Sequence, residues 1–303
     1  MKVSRRKLVQ QGTSTLMVSL PAPWIKTHNL KKGSEVSIES LNNDLMISAY
    51  RENIKQETKI TLLGKQESEI RTMITNTYRL GYDRINVSFA DNIQFKILDT
   101  VVKTRLIGFE IVSKEKDSCI VENVTEPAID QFDNIMHKIF FCVEEMFEFT
   151  KKRLEEYSDD TGYEDVQERI QKYDNFCRRV ITKQKMYNEK SEFLWTFLGF
   201  ILHGQREIYH LNKILSKDIK ISQQTKHLLE VSKQVFDLVR RGFFDKDITV
   251  ITQIHEIEKD AIYNEGYALL EQKKGKEVIV IYHILYSIRE FYQANSPLSG
   301  IIL

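Results

Sequence analysis

Between Pro127 and Pro297 the chain contains no proline, and over that span apolar residues return every three or four positions. Ile129, Phe132, Ile135, Met136, Ile139, Phe140, Val143, Met146 and Phe147 open the series. Proline breaks helix interiors, and a three-and-four spacing lays one apolar stripe along a helix of 3.6 residues per turn. The region is therefore read as long amphipathic helices. Polar and glycine-bearing interruptions at 158–162, 188–191, 216–222, 242–246 and 273–275 divide it into six, which taken as two sets of three suggest a tandem antiparallel three-helix repeat. The run Phe193-Leu194-Trp195-Thr196-Phe197-Leu198-Gly199-Phe200 reads as a buried central helix, apolar all round.

The residues before Pro127 follow a different period. Leu16, Val18 and Leu20, then Val36 and Ile38, then Leu45 and Ile47 alternate with polar residues, as half-buried strands do. Residues 23–30 read as one short helix entered through proline, with turns at Gly33 and Asn42-Asn43. About 50 residues make a small core, and short strands leave open edges, so pairing with a second copy is expected. From about 57 to 123 strand and helix alternate: strands at 59–63, 84–89, 109–113 and 118–124, helices at 67–80 and 92–105. Gly64, Gly81 and Gly108 fall at element ends, where positive φ is cheap only for glycine.

Charge is distributed unevenly. The first 34 residues hold Lys2, Arg5, Arg6, Lys7, Lys26, Lys31 and Lys32 and no Asp or Glu, although the whole chain is only +1. Such a field favours a polyanionic partner. The three cysteines, Cys119, Cys142 and Cys177, are far apart and form neither a disulfide framework nor a zinc knuckle. No apolar run is long enough to span a membrane and no apolar leader follows Met1, so no membrane insertion and a cytoplasmic location are expected.

Two family resemblances follow from these residues. The run Arg5-Arg6-Lys7-Leu8-Val9-Gln10-Gln11-Gly12, the segment Val18-Ser19-Leu20-Pro21 with Trp24, and Leu30-Lys31-Lys32-Gly33-Ser34-Glu35-Val36 resemble the SpoVT/AbrB-like swapped-hairpin DNA-binding domain. That resemblance implies a homodimer in which two chains interleave hairpins into one β-barrel. Lys2, Arg5, Arg6 and Lys7 would face DNA, with Gly12, Pro21, Trp24 and Gly33 as framework. The helical part resembles the PhoU-like regulators of phosphate uptake, whose three-helix repeats present Glu-x-x-x-Asp pairs to metal. Glu256 and Asp260 form one such pair, one helical turn apart. Ile170 with Asp174, Gln205 with Tyr209 and Tyr286 with Glu290 stand where the other three align, so the site for a divalent or iron-type ion is degenerate.

The combination looks like the archaeal phosphate-uptake-regulator type. It implies a multidomain α+β chain with an AbrB-like barrel at 1–52, a small α/β domain at 56–125 and a PhoU-like bundle at 127–303. The expected function is a DNA-binding transcriptional regulator of phosphate homeostasis with a helical sensor or relay domain. The alternative is a signalling adaptor that binds a phosphate transporter ATPase or a sensor protein without acting on DNA. No nucleophile with a spaced base, hydrolase metal motif or phosphate loop stands out, so enzyme activity is not expected. His203 and His210, seven apart, read as ordinary polar helix positions, and the doublets Arg178-Arg179 and Arg240-Arg241 as solvent-facing.

Overall fold

The computed structural model describes residues 5–41, 44–49, 55–125, 131–184 and 190–303. The chain divides into two compact units, 1–54 and 55–303. In the first, β1 (Val9–Gln11) and β2 (Thr15–Met17) form an antiparallel hairpin, and Gly12 makes its turn at φ 71°. Helix α1 (Ala22–Thr27) starts behind Pro21 with proline in its first turn, where the missing N–H costs nothing. A second hairpin follows, β3 (Val36–Leu41) with β4 (Asp44–Ala49). The two hairpins are separate two-stranded sheets, so a single chain does not close a barrel.

The second unit begins with a four-stranded sheet. Its strands are β5 (Glu57–Thr61), β6 (Arg84–Ser88), β7 (Phe109–Lys114) and β8 (Ser118–Asn123), in the order β5-β6-β8-β7. β5 and β6 are parallel, joined through α2 (Glu67–Arg79); β6–β8 and β8–β7 are antiparallel. Helix α3 (Asn92–Arg105) starts at Asp91, whose carboxylate accepts the N–H groups of Ile93 and Gln94, both at 3.0 Å. Ile70, Ile74 and Tyr78 of α2, Leu98, Val101 and Val102 of α3, and Ile85, Val87 and Val121 of the sheet make a dry core. Gly81 and Gly108 adopt positive φ as expected; Gly64 does not. It holds its turn by hydrogen bonds instead, its N–H to Glu69 and its carbonyl from Gln94.

The remainder is helical: α4 (Gln131–Glu155), α5 (Gly162–Gln184), α6 (Ser191–Ile214), α7 (Gln223–Asp245), α8 (Val250–Lys259), α9 (Tyr267–Gln272), α10 (Lys276–Gln293) and α11 (Asn295–Ile302). A π-helical stretch, Asp260–Gly266, joins α8 to α9. One hydrophobic core runs through all of them. Phe140 of α4 stacks on Phe236 of α7 at 5.4 Å, Phe197 of α6 on Phe243 of α7 at 5.0 Å, and Phe291 of α10 meets Phe147 of α4 at 6.1 Å. The break expected to open at Gly242 falls later, at Lys246, which ends α7 with φ 56°. Gly242 lies inside α7, where a Cβ would come within 2.7 Å of Val250. The run 193–200 is not apolar all round: Phe197 and Leu198 are buried, whereas Phe193 and Trp195 reach the surface. The reason is the single core, which covers only one side of α6 there, while Trp195 stacks on the Arg178 guanidinium at 4.6 Å.

Charged side chains tie the sheet's helices to α5. Arg179 donates to the carbonyls of Tyr78 at 3.1 Å and Tyr82 at 2.8 Å and to Asp83 at 2.6 Å, and its guanidinium lies over the rings of Tyr78 and Phe109. Arg79 reaches Asp174 at 2.9 Å and Asn175 at 2.8 Å. The doublet Arg178-Arg179 is therefore buried rather than solvent-facing, Arg179 at 3 % exposure. Its partners lie about a hundred residues back along the chain, and a buried charge is retained where such partners satisfy it. The other doublet does lie near solvent, Arg240 paired with Glu144 and Arg241 with Asp247.

Candidate nucleic-acid interface

Lys2 lies outside the described residues. Arg5, Arg6 and Lys7 form the extended lead into β1, and all three are exposed. Lys26 sits in the last turn of α1; Lys31 and Lys32 precede Gly33, which turns the chain at φ 88°. The Lys31 N–H donates to Ser34 Oγ at 2.9 Å, fixing that turn locally. Among the described residues none of these six cations has an ion-pair partner, so their charge is available to an external polyanion.

The framework beneath them is unfinished in one chain. No residue of 5–41 or 44–49 whose burial is described is buried. Leu16 is 61 % exposed, Ile38 61 % and Leu45 68 %, on strands that have only one neighbour each. Trp24 is half-buried and packs its ring 5.0 Å from that of His28. Apolar strand positions and open edges of this kind are what a second sheet covers.

Glu256 and Asp260, the candidate metal pair, are both exposed on the turn that joins α8 to the π-helical stretch. Asp260 already accepts the Asn264 amide at 2.7 Å. Among the described residues no group of three or more His, Cys, Asp or Glu gathers in a way that could hold a metal ion. The aligned positions are spread through the helices. Asp174 is buried between Arg79 and Arg178, Ile170 lies in the core, Gln205 bonds Gln167 at 2.6 Å, and Glu290 faces His203 at 3.5 Å. His203 and His210 do share a face of α6, toward α10: His210 lies 6.1 Å ring to ring from His283, which itself meets Glu207 at 2.8 Å. All three thiols are buried and free, and burial raises that of Cys119 to about 11.

Among its described residues the N-terminal unit therefore presents unpaired cations before β1, in α1 and ahead of Gly33, beside two hairpins with exposed apolar positions. A family model described as antidote-toxin recognition MazE, bacterial antitoxin, matches residues 9–55. Over these residues the module is similar to MazE/AbrB-like domains, which is consistent with a DNA-binding regulator or an antitoxin-like protein. Neither a curated protein nor a solved structure matches the chain. The matched segment begins at β1, so Arg5, Arg6 and Lys7 stand immediately before it. No helix of the described residues is long and apolar enough to cross a membrane.

Proposed function

We propose that the chain is a homodimeric DNA-binding transcriptional regulator. Two N-terminal units would complete one β-structure and present Arg5, Arg6 and Lys7 twice, together with Lys2. The observation that carries this reading is the coincidence of the MazE-type match over 9–55 with six exposed cations unpaired among the described residues, and with no buried residue among those of the unit whose burial is described. The chemistry is binding only. Each DNA phosphate neutralised adds roughly 0.9 to the slope of log affinity against log salt, so three arm cations from each protomer would give a slope of about 5. A two-fold dimer favours a palindromic or shape-read site.

A link to phosphate uptake rests on the resemblance of residues 127–303 alone, with its single whole pair, Glu256 and Asp260; binding of a transporter ATPase or sensor protein rests there too. The description of the matched family favours a second reading, in which the N-terminal unit recognises a toxin-like protein partner. Fluorescence anisotropy with genomic DNA fragments at several salt concentrations, using the full chain and Arg5→Glu/Arg6→Glu/Lys7→Glu, tests the first. Salt-sensitive binding that the triple variant loses supports it. Unchanged affinity in that variant overturns the arm assignment, and no DNA binding by the full chain overturns the regulator reading in favour of a protein partner.

A further inference from the structure

Helices α2, α3, α5 and α6 border a cavity of about 590 Å³ that is open to solvent on one side. Three of them present a polar stripe to it at helical spacing: Arg71, Thr75 and Arg79 on α2, Gln167, Gln171 and Asp174 on α5, and Arg206 with Tyr209 and His210 on α6. Arg105, the last residue of α3, completes the lining. Packed helix faces are normally apolar, so polar stripes facing one space are a departure that folding alone does not explain.

Positive charge dominates this space. Arg71 is paired with Glu67 and Arg105 with Glu168, while Asp174 is divided between Arg79 and Arg178. Arg206 has no hydrogen-bond or ion-pair partner among the described residues. Four guanidiniums, those of Arg71, Arg79, Arg105 and Arg206, thus line the space with one carboxylate, Asp174. Arg105 is only 9 % exposed, and its Nε and Nη1 are buried without a hydrogen-bond partner; only Nη2 is engaged, by Glu168 at 3.2 Å. Burial works against these charges, pulling both Arg79 and Arg105 below the ordinary guanidinium range, and it also lowers the His210 ring. A fold that keeps under-compensated arginines beside a cavity is stabilised when an anion fills it.

We propose that this arginine-lined cavity binds a phosphate-bearing small molecule. Guanidinium forks match phosphate oxygens in pairs, and the volume lies within the range of about 300–1,000 Å³ usual for small-molecule sites. Asn76 and Gln171 line the same space with no side-chain hydrogen bond among the described residues, which leaves amides to read the rest of a ligand. The ligand would bridge α2 and α3 to α5 and α6, the surfaces already joined through Arg79 and Asp174. The site is independent of what the N-terminal unit binds.

Isothermal titration of the full chain with inorganic phosphate, pyrophosphate, AMP and ATP, with adenosine as the uncharged control, tests this. Saturable binding of at least one phosphate-bearing probe, none of adenosine, and a loss of tenfold or more in Arg206→Glu are expected. Arg206 is exposed and makes no hydrogen bond or ion pair among the described residues, so this variant is expected to keep the fold. Arg240→Glu, outside the cavity, should bind as the parent does. Phosphate equal to ATP would identify a simple anion, and ATP far stronger a nucleotide. Absence of binding by all four probes overturns the proposal, as does binding that Arg206→Glu leaves intact.

Discussion

Replacing Arg179 by Met removes a buried charge between the sheet and the helices while keeping an apolar stem of similar length. The Nη1 atom donates to Tyr78 O and Tyr82 O and Nη2 to Asp83, at 3.1, 2.8 and 2.6 Å. Tyr78 lies in the last turn of α2, so the guanidinium also caps the negative end of that helix. A hydrogen bond from a charged donor contributes about 1.5–3 kcal/mol, and truncating one partner of a buried pair costs about 3–5 kcal/mol. Asp83 retains Lys183 at 3.0 Å, which spares it an unpaired state. The expected loss is therefore near the middle of that range, about 4 kcal/mol. At roughly 1.4 kcal/mol per factor of ten this is close to a thousandfold in the opening equilibrium. Hydrogen exchange reads it directly: amides of α2 and β6 should exchange about a thousand times faster, with α7 and α10 much less affected. A double-mutant cycle with Asp83→Asn should give a coupling of more than about 1 kcal/mol. Exchange of α2 and β6 within threefold of the parent would refute the claim that this arginine holds the two layers together.

Three further outcomes are expected. Gly204→Ala places a Cβ 2.6 Å from Phe291 at the α6–α10 contact, and overpacking there should cost about 2 kcal/mol in urea unfolding. Ile38→Asp with Leu16→Asp should abolish dimerisation in analytical ultracentrifugation without changing the helical circular dichroism of the rest. Glu277 is held below its ordinary 4.5: burial alone would raise it, but hydrogen bonds from Ser222 and Thr225 outweigh that. Its contribution is complete above pH 4.5 and is lost as pH falls through the lowered value, so Glu277→Gln should flatten that acid limb of a stability profile.

Helix α3 and the four strands near it were legible in sequence because period is a local property, and Gly81 and Gly108 mark ends within a few residues of the elements they bound. The long helices were legible for the same reason, including the interruption at 216–222. Burial of charge was not. Arg178-Arg179 looks identical to any surface doublet until α2 and the loop after it are folded against α5, and the cavity is assembled from residues between 71 and 210. Its only trace in sequence is polar residues at helical spacing on α2 and α5, which an exposed face would show equally. For the N-terminal interface the basic lead was plain from composition, whereas the lack of an interior among its described residues could be read only after the hairpins were placed.

That lack of an interior makes abundance a variable of the system. Order in the N-terminal unit would have to be supplied by a second chain, so its folding becomes a second-order event governed by mass action. Well below the dimer dissociation constant, doubling the amount of chain would quadruple the assembled form. The cell could then silence the N-terminal unit simply by letting the protein become scarce.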